Sequence, residues 1–126
     1  MLSIDIVCPV FREEAAIETF HKALIEATEP LYNEYKFRYI YVVDPPDRSD
    51  EILQGIADKS DNVTVLVMSR RFGHQAALIA GIDETRGDAV VMLDSDMQHP
   101  PSLIPKLIEE WRGGSDIVQT LRHDDQ

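Results

Sequence analysis

An α/β fold on a mostly parallel sheet is predicted, and three observations predict it. Short apolar, β-branched runs alternate with longer stretches of helical spacing along the 126 residues. The strand candidates are nearly continuous in apolar residues, as strands covered on both faces require. Pro30, Gly87 and Gly113-Gly114 fall where the helices should stop.

The elements follow in order. Ser3 to Pro9 is the first strand candidate. Helical spacing then runs through Ala16, Ile17, Phe20, Ala23, Leu24 and Ala27. Tyr39 to Val43 is the second strand, and Ser49 or Asp50 can cap a helix carrying Ile52, Leu53 and Ile56. Val63 to Met68 is the third strand. Gln75 to Thr85 reads as a helix, with Ala76, Ala77, Ile79 and Ala80 giving it small packing faces. Ala89 to Leu93 is the fourth strand, the most apolar, and is expected to be buried. Pro101 opens a helix through Trp111, with Pro105 in its first turns. Ile117-Val118 begins a fifth strand. Right-handed crossovers are expected between parallel strands.

Length and composition suit one soluble domain, with 44% hydrophobic and 28% charged residues. The net charge is -11, which speaks against nucleic acid as a partner. Clustered carboxylates can bind divalent cations, though acidity can equally be a solvated surface. The one cysteine, Cys8, cannot form an internal disulfide and reads as a small buried hydrophobe; it fits a reducing cytosol. No signal sequence opens the chain, and no apolar run of about 18 residues spans a bilayer.

In open parallel sheets ligands bind at the carboxyl ends of the strands. Those ends carry Pro9 to Glu14, Asp44 to Asp50, Ser69 to Gln75 and Asp94 to Pro101. In the last, Asp94 and Asp96 stand one residue apart, with the carboxamide of Gln98 two further on. Such oxygens can converge on Mg²⁺ or Mn²⁺, which keep places for phosphate oxygens. The plain alternative is a capping Asp94 and a solvated Asp96. His99 is a turn residue or a ligand. Arg70 and Arg71 either clamp phosphate or are solvated. Gly73 allows close backbone approach. Asp44 either accepts from a base or ribose or closes a turn before Pro45, and Glu13 and Glu14 are acids of the kind that favour a helix start.

With these residues placed, the chain resembles the family 2 glycosyltransferases of the GT-A fold. It is most similar to those acting on polyprenyl phosphates (dolichyl or undecaprenyl). The matching stretches are Val7 to Glu14, Ser69 to Ala77, Ala80 to Asp83, Arg86 to Val91 and Asp94 to Pro101. They recur in the family's order over nearly the whole chain.

The resemblance implies a three-layer αβα, Rossmann-like nucleotide-binding half. It places Pro9, Phe11 and Glu13 along the nucleotide pocket, Asp44 at the base, and Arg70 and Gly73 beside the diphosphate. Asp94 would lie near ribose and metal, and Asp96 would hold Mg²⁺ or Mn²⁺ against the diphosphate, with Gln98 completing the metal shell. Asp94 and Asp96 are thus the implied catalytic pair. Two departures stand out: Arg12 replaces the family's usual Asn, and Asp44-Pro45-Pro46-Asp47-Arg48-Ser49-Asp50 replaces an Asp-Asp-Gly-Ser turn with a stiffer one.

The implied reaction is metal-dependent, inverting transfer of a sugar from a UDP- or GDP-sugar to a lipid phosphate, at the cytoplasmic face of a membrane. Residues 1–126 are then the N-terminal, donor-binding part, inactive alone; the acceptor half and any membrane helices would follow, and membrane contact would come through them. Two rival readings stand beside it. One is a non-catalytic nucleotide-binding or interaction module. The other is a response-regulator receiver domain, which needs an acidic pair after strand one, where Cys8-Pro9-Val10-Phe11 stands, and a Lys after strand five.

Overall fold

A computed structural model of the chain describes residues 1–10, 16–43, 49–68, 74–93 and 100–113. Strand β1 is Leu2–Val10 and helix α1 is Ile17–Thr28, followed by a 3₁₀ turn at Glu29–Leu31. Then come β2 (Tyr35–Val43), α2 (Ser49–Ala57), β3 (Val63–Val67), α3 (His74–Asp83) and β4 (Ala89–Met92). A 3₁₀ turn at Pro101–Leu103 leads into α4 (Ile104–Arg112). The predicted fifth strand at Ile117-Val118 lies outside the described residues.

The four strands form one parallel sheet in the order β3-β2-β1-β4. Alternation within β1 and β2 sends Ile4, Ile6, Cys8, Val10, Phe37, Tyr39, Tyr41 and Val43 into the main core. There they meet Ile17, Phe20 and Leu24 of α1, Leu53 of α2, and Ile104 and Ile108 of α4. Val7, Ile40 and Val42 point the other way, into a smaller cluster with Leu66, Met68 and Ala80. The helices thus cover the sheet unequally, with α1, α2 and α4 on one face and α3 on the other. The α/β class and the parallel sheet are as expected.

Helix α1 forms because Ile17, Phe20, Leu24 and Thr28 fall on one stripe, and all four are buried. Thr28 Oγ bonds back to the Leu24 carbonyl at 2.9 Å, and a 2.6 Å hydrogen bond joins it to Tyr39 Oη. On the opposite face α3 lies close because residue 81 is glycine: a Cβ there would overlap Val7 and come within 3.1 Å of Val42 Cγ2.

Three expectations need correction. Strand β2 begins at Tyr35, four residues before the predicted start, because Tyr35-Lys36-Phe37-Arg38 is a partly exposed strand segment, not an apolar run. Strand β4 is not buried. Val90 and Met92 are 39% and 47% exposed, because β4 is an edge strand among the described residues and α3 packs on β1 and β2 instead. Ile79 is not a packing residue of α3; it is 61% exposed, while Ala80 and Gly81 face the sheet. Helix α2 opens at Ser49, which is buried, with Asp50 and Glu51 in its first turn.

The strand order also separates the rival folds. A receiver domain has the doubly wound order 2-1-3-4-5, with its second strand at an edge. Here β2 is paired on both sides, in the 3-2-1-4 arrangement of a mononucleotide-binding half.

Candidate functional site: the carboxyl edge of the sheet

The registers bring the strand ends together along one edge. Val10 is opposite Val43, and Val43 is opposite Val67. On the other side Val7 is opposite Met92, and Leu93 N–H donates to the Val7 carbonyl at 2.9 Å. The chain proceeds from β1 outward to β2 and β3, then returns to pair β4 on the far side of β1. The order therefore reverses between β1 and β4, which makes that edge the topological switch point where ligands bind in sheets of this kind.

Pro9 acts at this point. It is buried in β1 and opposite Val42. In a parallel ladder the residues of a central strand serve its two neighbours alternately. Val7 serves β4, Cys8 serves β2, and residue 9 is the next donor due to β4. Proline has no N–H to give. Among the described residues the pairing of β1 with β4 reaches Val7 and Leu93, and that with β2 reaches Val10 and Val43. The sequence places Pro9 near the nucleotide by resemblance; this mechanical role needs the strand order.

Of the predicted site residues, Pro9 lies within the described structure. Phe11, Glu13, Asp44, Arg70, Gly73, Asp94, Asp96 and Gln98 lie outside the described residues, in the segments that follow β1, β2, β3 and β4. Among the described residues no group of three or more His, Cys, Asp or Glu side chains could hold a metal. Carboxylate and carboxamide oxygens of the kind the sequence carries after β4 suit Mg²⁺ or Mn²⁺.

The described titratable cluster sits elsewhere and is structural. His21 Nδ1 is 2.5 Å from Tyr41 Oη, and Tyr39 Oη is 2.7 Å from Tyr32 Oη. Burial pushes the Tyr39 and Tyr41 hydroxyls well above the ordinary tyrosine range, so both stay protonated, and burial pulls His21 below its ordinary 6.5. These groups join α1 to β2 inside the core. Composition shows the tyrosines, but no local pattern tells that they share one network. An open groove of about 810 Å³ between α1 and α2, lined by His21, Lys22, Glu51 and Lys59 among others, includes no strand-end residue. Among the described residues no helix is long and apolar enough to cross a membrane.

The family model described as glycosyl transferase family 2 matches residues 5–126. A bactoprenol glucosyl transferase of Shigella phage SfX is 39% identical over 98% of this chain and 40% of its own length. An undecaprenyl-phosphate 4-deoxy-4-formamido-L-arabinose transferase of Pseudomonas fluorescens is 36% identical, over 98% of this chain and 36% of its own. Among solved structures, glucosyl-3-phosphoglycerate synthase from Mycobacterium tuberculosis, in complex with Mn²⁺, UDP and phosphoglyceric acid, is similar with a TM-score of 0.67. It is 27% identical and covers 92% of this chain and 41% of that one. The chain thus spans about two fifths of the length of these relatives.

Proposed function

The chain belongs to glycosyl transferase family 2, and from that premise we propose that it is the nucleotide-sugar-binding part of an enzyme that glycosylates a polyprenyl phosphate. The observation that carries the reading is the reversal of strand order at β1 and β4. It sets the exit from Leu93 toward Asp94-Ser95-Asp96 beside the Pro9 end of β1. A UDP- or GDP-sugar would lie across this edge. Pro9, Phe11 and Glu13 would line the nucleotide, Asp44 would accept from the base or ribose, and Arg70 and Gly73 would flank the diphosphate. Asp94, Asp96 and Gln98 would hold Mg²⁺ or Mn²⁺, which when bound neutralises charge on the departing diphosphate.

The acceptor phosphate attacks the anomeric carbon. A new C–O bond forms to the phosphate as the C–O bond to the diphosphate breaks, and the diphosphate leaves with the electron pair. One such in-line displacement inverts the anomeric centre. A phosphate monoester is already anionic at neutral pH, so no strong general base is needed. Positioning and charge stabilisation supply the acceleration. A lipid phosphate is preferred over a soluble phosphorylated acid because the bactoprenol relative is 39% identical and the phosphoglycerate relative 27%. The enzyme would work at the cytoplasmic face of a membrane.

Calorimetry with UDP or GDP and Mn²⁺ tests the reading on this chain and on the natural full-length polypeptide. Metal-dependent binding is expected, weak in the shorter chain. Asp96→Ala should abolish the metal dependence. Absence of binding in both proteins would sink the reading, and metal-dependent binding by the Asp96→Ala protein would remove Asp96 from the metal site.

A further inference from the structure

We propose that Asp5 is a positioning residue: it sets the register of β4 on β1, and so the height at which the chain enters the Asp94 to Gln98 segment. The inference rests on reading that segment as the diphosphate site. The apolar pattern alone specifies the register of β4 poorly. Ala89-Val90-Val91-Met92-Leu93 is apolar throughout, so a slip by one residue would trade Ala89 and Val91 for Val90 and Met92 at little cost, and the apolar side chain that chiefly resists it is Leu93, 1% exposed in the main core. Val90 and Met92 gain little from staying where they are, being half-exposed. The paired stretch is only four residues long, Ile4↔Ala89 to Val7↔Met92.

Polar groups at the start of β4 supply the missing specification. The Asp5 carboxylate, 3% exposed, accepts from Arg86 N–H at 2.7 Å and Gly87 N–H at 3.0 Å through the same oxygen, Oδ2. Beside it Ser3 N–H donates to Asp88 Oδ2 at 2.8 Å, and Asp88 N–H donates to the Ser3 carbonyl at 2.8 Å. Gly87 fits closely: a Cβ there would stand 3.1 Å from Asp5 Cγ, Asp5 Oδ1 and the Ser3 carbonyl oxygen. A one-residue slip would pull Arg86 N–H and Gly87 N–H away from the buried carboxylate, a cost added to the loss of Leu93 from the core. From Asp88 the extended chain runs about 16 Å to Leu93 at ~3.3 Å per residue, and the clamp's register is carried along that length. Asp5 touches no reacting group; it acts through β4.

The test uses the natural full-length polypeptide with Asp5→Ala, Asp5→Asn and Thr28→Val, the last a remote variant of α1 that lowers Tm without touching β4. Two quantities are read: hydrogen exchange at the Val91 and Leu93 amides, and Mn²⁺-dependent UDP or GDP affinity. Asp5→Ala should speed exchange at both amides and weaken binding about tenfold to a hundredfold, as sub-ångström to ångström misplacement of site groups does. Asp5→Asn should recover both, because one carbonyl oxygen can accept both N–H groups. Thr28→Val should change neither at comparable Tm. If Asp5→Ala does not fold, Gly87→Ala, which crowds the same carboxylate, takes its place. Unchanged exchange at Leu93, or equal effects from Thr28→Val, overturns the proposal. If the unaltered protein binds neither nucleotide, the functional reading fails, and the register claim is decided by exchange alone.

Discussion

Replacing Gly81 with alanine tests the contact that seats α3 on the sheet. Two effects of opposite sign compete. Alanine in a helix interior is favoured over glycine by about 1 kcal/mol. Against that, the new methyl would overlap Val7 Cγ1 and approach Val42 Cγ2 to 3.1 Å. Both valines are fully buried in the two central strands, and a β-branched side chain there has few other rotamers. Overpacking of this kind costs about 1–3 kcal/mol, and overlap with an immobile branched carbon belongs toward the upper end. The net expectation is a loss of about 1–2 kcal/mol, the overpacking cost less the propensity gain. For a domain of this size that lowers Tm by roughly 3–10 °C. Urea unfolding followed by the fluorescence of Trp111, the sole tryptophan, and by circular dichroism measures it. Val7→Ala, combined with Gly81→Ala, should return part of the loss, a coupling of at least about 0.5 kcal/mol. A Gly81→Ala protein as stable as the original, or more so, would refute the reasoning: helix propensity would have won, and α3 would not rest on Val7.

The remaining stability predictions concern the network between α1 and β2. Tyr39→Phe removes hydrogen bonds to Thr28 at 2.6 Å and Tyr32 at 2.7 Å while Thr28 keeps the Leu24 carbonyl, so a loss of about 1–2 kcal/mol is expected in urea unfolding; a loss below a few tenths would mean water replaces both bonds. His21 should make stability fall with acid. Its native pKa lies below the ordinary 6.5, so the unfolded chain takes up the proton first. Its contribution is intact above about pH 6.5 and is lost as pH drops from there toward the lower native value. The stability difference between the unaltered protein and His21→Gln should therefore shrink between pH 7 and pH 5. A difference that stays constant would show that His21 titrates alike in both states.

The order and type of the elements were legible because they rest on local periodicity. Ile17, Phe20 and Leu24 recur at helical spacing and are the buried stripe of α1. Ile4 to Val10, Asp5 apart, is apolar on both faces and forms one of the two inner strands among the described residues. The misreadings came where exposure depends on neighbours. Val90, Met92 and Ile79 are as apolar as the core residues, yet nothing in their own segments tells that α3 covers β1 and β2 but not β4. Likewise Tyr35 to Arg38 reads as an edge of a loop until β1 is laid beside it. Asp94, Asp96 and Gln98 read as a candidate ligand set from their oxygen chemistry and close spacing, and they lie outside the described residues. Asp5, Gly81 and Gly87 carried no such signal, because a single acid or glycine in an apolar run announces no partner.

By itself the sequence determined the α/β class, the segments that would be strands and helices, and the family, through motifs that recur in order. These are properties of neighbours along the chain, and residue spacing suffices to state them. The tertiary structure decided the strand order, and with it the switch point between β1 and β4 and the clamp of Asp5 on Arg86 and Gly87. The contacts between β1 and the start of β4 join residues more than eighty positions apart. Hydrogen-bond satisfaction and steric fit across such distances depend on which strand lies beside which, and no local period encodes that.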